Sequence, residues 1–218
     1  MQIKIIPTVV FVSIILLLGA CSGESTPQKM YEHMESAVSL EDTFAEQQEP
    51  LVALEEEEKA LYEEIINLGL DELDQVKELS QEALGKIEER QEILKVEKES
   101  IDAAKEEFEK VEPMIEEIEE EDVKEKAEQV YQAMEDRYNA YLALHESYNA
   151  SLEKDRELYE MLQDEELEEE TLKNHITSVN ENYDKVLEAN ELFNEKTDEY
   201  NKLKEEFYEI AELNVEYE

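Results

Sequence analysis

The most specific chemistry in the sequence belongs to one thiol. Cys21, the only cysteine of the chain, follows Leu18-Gly19-Ala20. A leucine therefore stands three residues before it, with small residues between, as in a bacterial lipobox. The small residues fit a narrow peptidase site, Ala20–Cys21 is the expected cleavage junction, and the thiol is the nucleophile that takes a diacylglyceryl group. Upstream, Lys4 precedes an apolar run from Ile5 to Leu18, too short for an ordinary spanning helix but suited to a signal segment. We read 1–20 as a lipoprotein signal peptide, 21–27 as a lipidated tether and 28–218 as an acidic helical-bundle domain. Two acyl chains on Cys21 would anchor the body stably at the outer face of the cytoplasmic membrane.

Aromatic chemistry comes second. Five of the 11 tyrosines lie between Tyr131 and Tyr159. Tyr131 and Tyr138 are seven apart, as are Tyr141 and Tyr148, and Tyr159 continues the first row. On a helix this spacing gathers the rings along one side. They either widen a core seam or form a strip that stacks on sugar faces or on a partner helix. Tyr131, Tyr138, Tyr141 and Tyr148 are the candidate ligand-stacking residues.

Catalytic and metal chemistry finds little support. His33, His145 and His175 are far apart, with no metal-ligand spacing and no nucleophile motif, and phosphate-binding glycine loops are missing. Among 62 acidic residues, carboxylate pairs arise by accident. The acid runs Glu55–Glu58, Glu116–Asp122 and Glu165–Glu170 read as solvated faces, lacking the ligand spacing of a calcium loop. We expect no catalytic residues, no metal and no cofactor. Against 20 basic residues the formal charge is −42, which repels phosphates and excludes non-specific nucleic-acid binding. A single cysteine excludes a disulfide framework.

These groups must be positioned by helices. Four glycines and four prolines cannot supply the turns of a many-stranded sheet. Residues 73–118 follow a seven-residue register in two rows. One is Leu73, Ser80, Ile87, Leu94, Ile101, Phe108 and Ile115; the other is Val76, Ala83, Arg90, Glu97, Ala104, Val111 and Ile118. Eleven of these 14 are apolar, as a coiled-coil seam requires, while Arg90 and Glu97 break it mid-way. Gly69 with Asp71, and the stretch 163–171, read as turns. Pro50 and Pro113 read as kinks. The predicted arms are 28–67, 71–119, 123–162 and 169–213. The fold class is all-α, an extended up-and-down antiparallel bundle of three to four long helices with coiled-coil-like packing. In the three-helix alternative the 67–71 turn is only a kink. Pairs such as Glu82–Lys86 and Glu120–Lys124 are placed to support single helices.

The lipobox and acidic helical body resemble the YkyA-type cell-wall-binding lipoproteins of Gram-positive bacteria. The stretches that carry the likeness are Asn67-Leu68-Gly69, Glu97-Lys98-Glu99-Ser100-Ile101, Met134 to Tyr141 (Met-Glu-Asp-Arg-Tyr-Asn-Ala-Tyr), Phe193-Asn194 and Thr197. The resemblance implies a helical, wall-linked lipoprotein, to which a hydrolase label is sometimes attached, and it brings no catalytic residues with it. The expected function is a lipid-anchored, extracytoplasmic binding or scaffold module for peptidoglycan or an envelope protein. An envelope hydrolase acting on wall glycan or peptide is the alternative. It requires a concave site with convergent acids of shifted pKa.

Overall fold

The computed structural model describes residues 24–68, 72–213 and 215. Ala20, Cys21, Gly69 and Asp71, with the readings made on them, lie outside these. Six helices follow in order: α1 (Thr26–Leu40), α2 (Asp42–Ile65), α3 (Leu73–Phe108), the short α4 (Glu112–Ile115), α5 (Glu121–Met161) and α6 (Glu169–Ile210), with a 3₁₀ turn at Glu109–Val111 before α4. They build four arms of an up-and-down antiparallel bundle, the first made of α1 and α2, and the second of α3 to α4. Because α2 and α3 pack side by side, the 66–72 connection is a reversal, and the three-helix alternative is set aside. The helical body starts at Thr26, not residue 28. Ser25 caps α1 by accepting from the Gln28 amide at 3.3 Å, and Pro27 sits in the first turn, where its missing N–H costs nothing.

Every seam position from Ser80 to Ile118 is buried, Arg90 and Glu97 included. The two breaks in the arms differ in cause. Pro113 removes one donor and crowds the carbonyl four residues before it. The α-helix accordingly stops at Phe108 and gives way to 3₁₀ geometry at Glu109. The first arm breaks at Glu41 instead of Pro50, which stands inside α2. The Ser100 hydroxyl donates to the Leu40 carbonyl at 2.7 Å and accepts from the Phe44 amide at 3.2 Å. It thus takes the place of the Phe44-to-Leu40 bond that a continuous helix would form. Arg137 then grips Glu41 with two hydrogen bonds of 2.6 Å, donates to Thr197 at 3.1 Å and lies 5.1 Å above the Phe193 ring. Ser100, Arg137, Phe193 and Thr197, from four of the stretches that carry the family resemblance, meet at this junction, while Asn67 and Leu68 lie beyond the opposite end of α2.

The core forms three clusters along the rod. The near end, where α1 starts, holds Met30, Met34, Phe108, Val111 and Phe207, all fully buried. The middle holds Phe44, Ile101, Tyr141 and Phe193. The far end, beside the 66–72 and 162–168 connections, holds Leu51, Ile65, Ile87, Leu94, Leu152 and Tyr159. Two acid runs prove to be helix starts: Glu121 and Asp122 open α5, and Glu169 and Glu170 open α6, where the helix dipole favours negative charge. Scarce cations tie arms together more than they support single helices: Lys86 reaches Glu57 on α2, and Lys126 reaches Glu206 on α6, both at 2.7 Å.

Candidate functional site

The far cluster contains no buried residue of α6, and the reason is legible along that helix. A seven-residue row on its inner face runs Val179, Val186, Phe193, Tyr200, Phe207. Three large rings fill the near and middle core, while two valines stand opposite the far core. Valine is shorter than phenylalanine by most of a ring, so α6 leaves a space between itself and α2. A cleft of about 460 Å³ results. Its outer wall is Val179, Tyr183, Val186 and the largely exposed Leu187 of α6, facing Tyr62 and Lys59 of α2.

The floor is ionic. Arg90, the seam break of α3, projects into it and is essentially unexposed. Its guanidinium donates to Glu58, to Glu55 at 3.3 Å and to the Tyr148 hydroxyl at 2.7 Å, and lies 3.9 Å from Asp155. The same guanidinium stands 5.2 Å over the Tyr148 ring, a cation–π arrangement. Tyr148 in turn donates to Glu55, and Tyr183 donates to Asp155 at 2.7 Å. Three carboxyl groups thus share one guanidinium. Burial pushes the Glu58 carboxyl up to about 7 against the opposing pull of Arg90, with Asp155 adding to the rise. The Asp155 carboxyl is raised as well, again chiefly by burial. The Ser151 hydroxyl also lines the cleft, is buried, and has no hydrogen-bond partner among the described residues.

About two helical turns nearer the middle, the other seam break, Glu97, behaves differently. Glu97 is buried and accepts from the Gln48 amide at 2.7 Å, and no Lys or Arg among the described residues forms an ion pair with it. Burial raises its carboxyl to about 7, and Gln48 opposes the rise.

The four tyrosines singled out in the sequence are spread over all three clusters. Tyr131 stacks on Phe108 at the near end, ring centroids 5.8 Å apart. Tyr141 is buried in the middle against Phe44 and Phe193. Tyr138 is half-buried beside it, donating to Asp102 at 2.9 Å, with Lys105 5.7 Å above its ring. Tyr148 alone of the four lines the cleft. Sequence reasoning noticed Arg90 only as an interruption and Glu55–Glu58 only as a solvated run, and it singled out neither Asp155 nor Tyr183. The valine-to-ring change along α6 was the available signal. The histidines are dispersed: His33 bonds Glu107 at 2.6 Å, His175 bonds the Lys154 carbonyl at 2.8 Å, and His145 lies against Tyr141.

Against known proteins, a family model described as "Putative cell-wall binding lipoprotein" (YkyA) matches residues 25–210. The chain belongs to the YkyA family. A member from Bacillus subtilis (strain 168), called "Uncharacterized lipoprotein YkyA", is 34% identical over 205 residues, which is 94% of this chain and 92% of that one. A crystal structure titled as a conserved protein of unknown function from Staphylococcus aureus covers 86% of this chain and 98% of its own, with a TM-score of 0.60 at 11% identity. That likeness shows a shared fold and nothing of the chemistry. No helix among the described residues is long and apolar enough to cross a membrane.

Proposed function

We propose that this protein is a lipid-anchored, extracytoplasmic binding module that holds a cell-wall or envelope ligand in the far cleft between α2 and α6. The observation that carries the reading is the position of the cleft. Thr26 opens α1 at the near end, five residues after Cys21, so a lipid on Cys21 ties that end to the membrane. Helix α5 alone has 41 residues, a span of about 60 Å at the α-helical rise. The cleft lies most of that distance out, and the acidic surface is repelled by an anionic membrane, which favours an outward-standing rod. Peptidoglycan or an envelope protein fits this placement. Anionic wall polymers suit a carboxyl-rich floor poorly.

Wall hydrolysis is the second reading, favoured by the two raised carboxyl groups, Glu58 and Asp155, at the cleft floor. Arg90 holds Glu58 and Tyr183 holds Asp155, and both carboxyls are buried, which suits a rigid floor better than a general acid working on a substrate. A clearing band from the full chain on a wall-substrate gel, lost in Glu58→Gln, would reverse this order. The binding reading is tested by sedimenting the full chain, purified in detergent, with isolated cell walls. The wild type should pellet with the walls and Tyr183→Ala should bind at least tenfold more weakly. Equal pelleting of the two, or none by the wild type at any ionic strength, would remove the cleft as the wall-binding site.

A further inference from the structure

Resting on that reading, we infer that the cleft takes an organic cation: a primary ammonium carried on an apolar or peptide chain, its charge set among Glu55, Glu58 and Asp155 and its stem along the α6 wall. Three features of the site point to this class. The floor brings three carboxyl groups to one guanidinium, so a bound positive charge would offset part of the negative excess, whereas an anion would add to it. The walls are rings and aliphatic side chains, and Tyr148 already carries one cation on its face. Ring faces attract ammonium groups and apolar walls hold a carbon stem. The third feature is the Ser151 hydroxyl, 2% exposed, lining the cavity and without a partner among the described residues. A buried hydroxyl without a partner loses about 1–3 kcal/mol of hydrogen bonding, and an N–H or carbonyl of a ligand would restore it.

The carboxylates are spread around a guanidinium instead of facing one point, and no group of three metal-ligating side chains occurs among the described residues. The geometry therefore suits a hydrogen-bonding ammonium with a carbon tail. Its arrival also has a protonic consequence. Glu58 and Asp155 face Arg90 from α3, Tyr148 and Tyr159 from α5, and Tyr183 and His175 from α6, with Glu55 and Lys59 on the flanking turns of α2. A second cation in that company lowers both carboxyls, so binding near pH 7 releases protons to the buffer.

Calorimetry on the full chain in detergent tests the inference with three probes: Nα-acetyl-lysine amide, Nα-acetyl-norleucine amide, which has no ammonium group, and 1,5-diaminopentane. An ammonium probe should bind, and the norleucine probe should bind at least tenfold more weakly. Heats measured in two buffers of different ionisation enthalpy should reveal the released proton. Leu187 stands exposed at the rim, so its substitution leaves the core intact. Leu187→Lys should weaken ammonium binding at least tenfold and Leu187→Glu should not. Ser151→Ala should weaken it severalfold at an unchanged melting temperature. Tighter binding of the diamine points to a free polyamine, and tighter binding of the lysine amide to a peptide side chain. Norleucine binding as tightly as lysine, or equal behaviour of the two Leu187 variants, overturns the inference. If no ammonium probe binds while walls still sediment in a Tyr183-dependent manner, the cation is wrong and the cleft stands. If both fail, the cleft falls with it.

Discussion

The two ends of this bundle share one row of α6 and differ in what stands on it. At the near end Tyr200 and Phe207 share one cluster of buried side chains with Met30, Met34 and Phe108, and Phe193 continues the row into the middle core. At the far end Val179 and Val186 leave a gap, and an arginine with three carboxyl groups occupies the floor. One end is organised by packing and the other by charge. A difference of ring against valine, repeated at seven-residue spacing, is enough to turn a coiled-coil-like rod into a rod with a cleft. The near end supplies a closed, packed core, so the far end can carry buried ionisable groups that no packing argument would place there.

The largest effect that separates the ends is expected at Arg90. Arg90→Met leaves Glu58 and Asp155 buried without their cation, and breaking such a pair costs about 3–5 kcal/mol. The loss should be full at pH 8 and much smaller at pH 5, where both carboxyls can take up protons. Urea unfolding at the two pH values checks this, and an equal loss at both would show that charge does not organise the far end. Next is Phe207→Val, which gives the near end the far end's side chain. A cavity in a closed core should cost about 2–4 kcal/mol, with no pH dependence and no change in ligand binding.

A smaller effect is expected at Glu97. Its carboxyl titrates near 7 in the folded chain against 4.5 ordinarily. The folded state therefore keeps a proton that the unfolded state gives up. Stability is full below about pH 4.5, declines as the pH rises to 7 and is flat beyond. A shift of this size corresponds to about 3 kcal/mol. Glu97→Gln should flatten that part of the pH profile and match the wild type at pH 4. At pH 8 it should be about 1–3 kcal/mol more stable. An unaltered profile would show that Glu97 is ionised throughout and held by something other than Gln48.

Much of this was readable in the residues. The heptad rows of 73–118 are the buried face of the second arm, and the acid-rich turns fall at helix starts, because apolar spacing and turn chemistry are local. The break at Glu41 was not readable, since its cause is Ser100, 59 positions later in the chain. Pro50 drew the eye because proline acts locally, but the bond that is missing lies between Leu40 and Phe44. The cleft was hidden for a similar reason. Arg90, Glu58 and Asp155 look like interruptions or surface when each helix is read alone, and only the packing of four arms brings them to one point. The tyrosine row was visible, but its rings serve different layers, and of the four candidate tyrosines only Tyr148 reaches the cleft.

Filling the gap tests the central claim most directly. Val186→Phe extends the ring row of α6 into the far half, and sedimentation of the full chain with isolated walls, alongside a thermal melt, reads the result. The account predicts binding weakened at least tenfold at an unchanged or higher melting temperature. Undiminished wall binding by a folded Val186→Phe chain would contradict it.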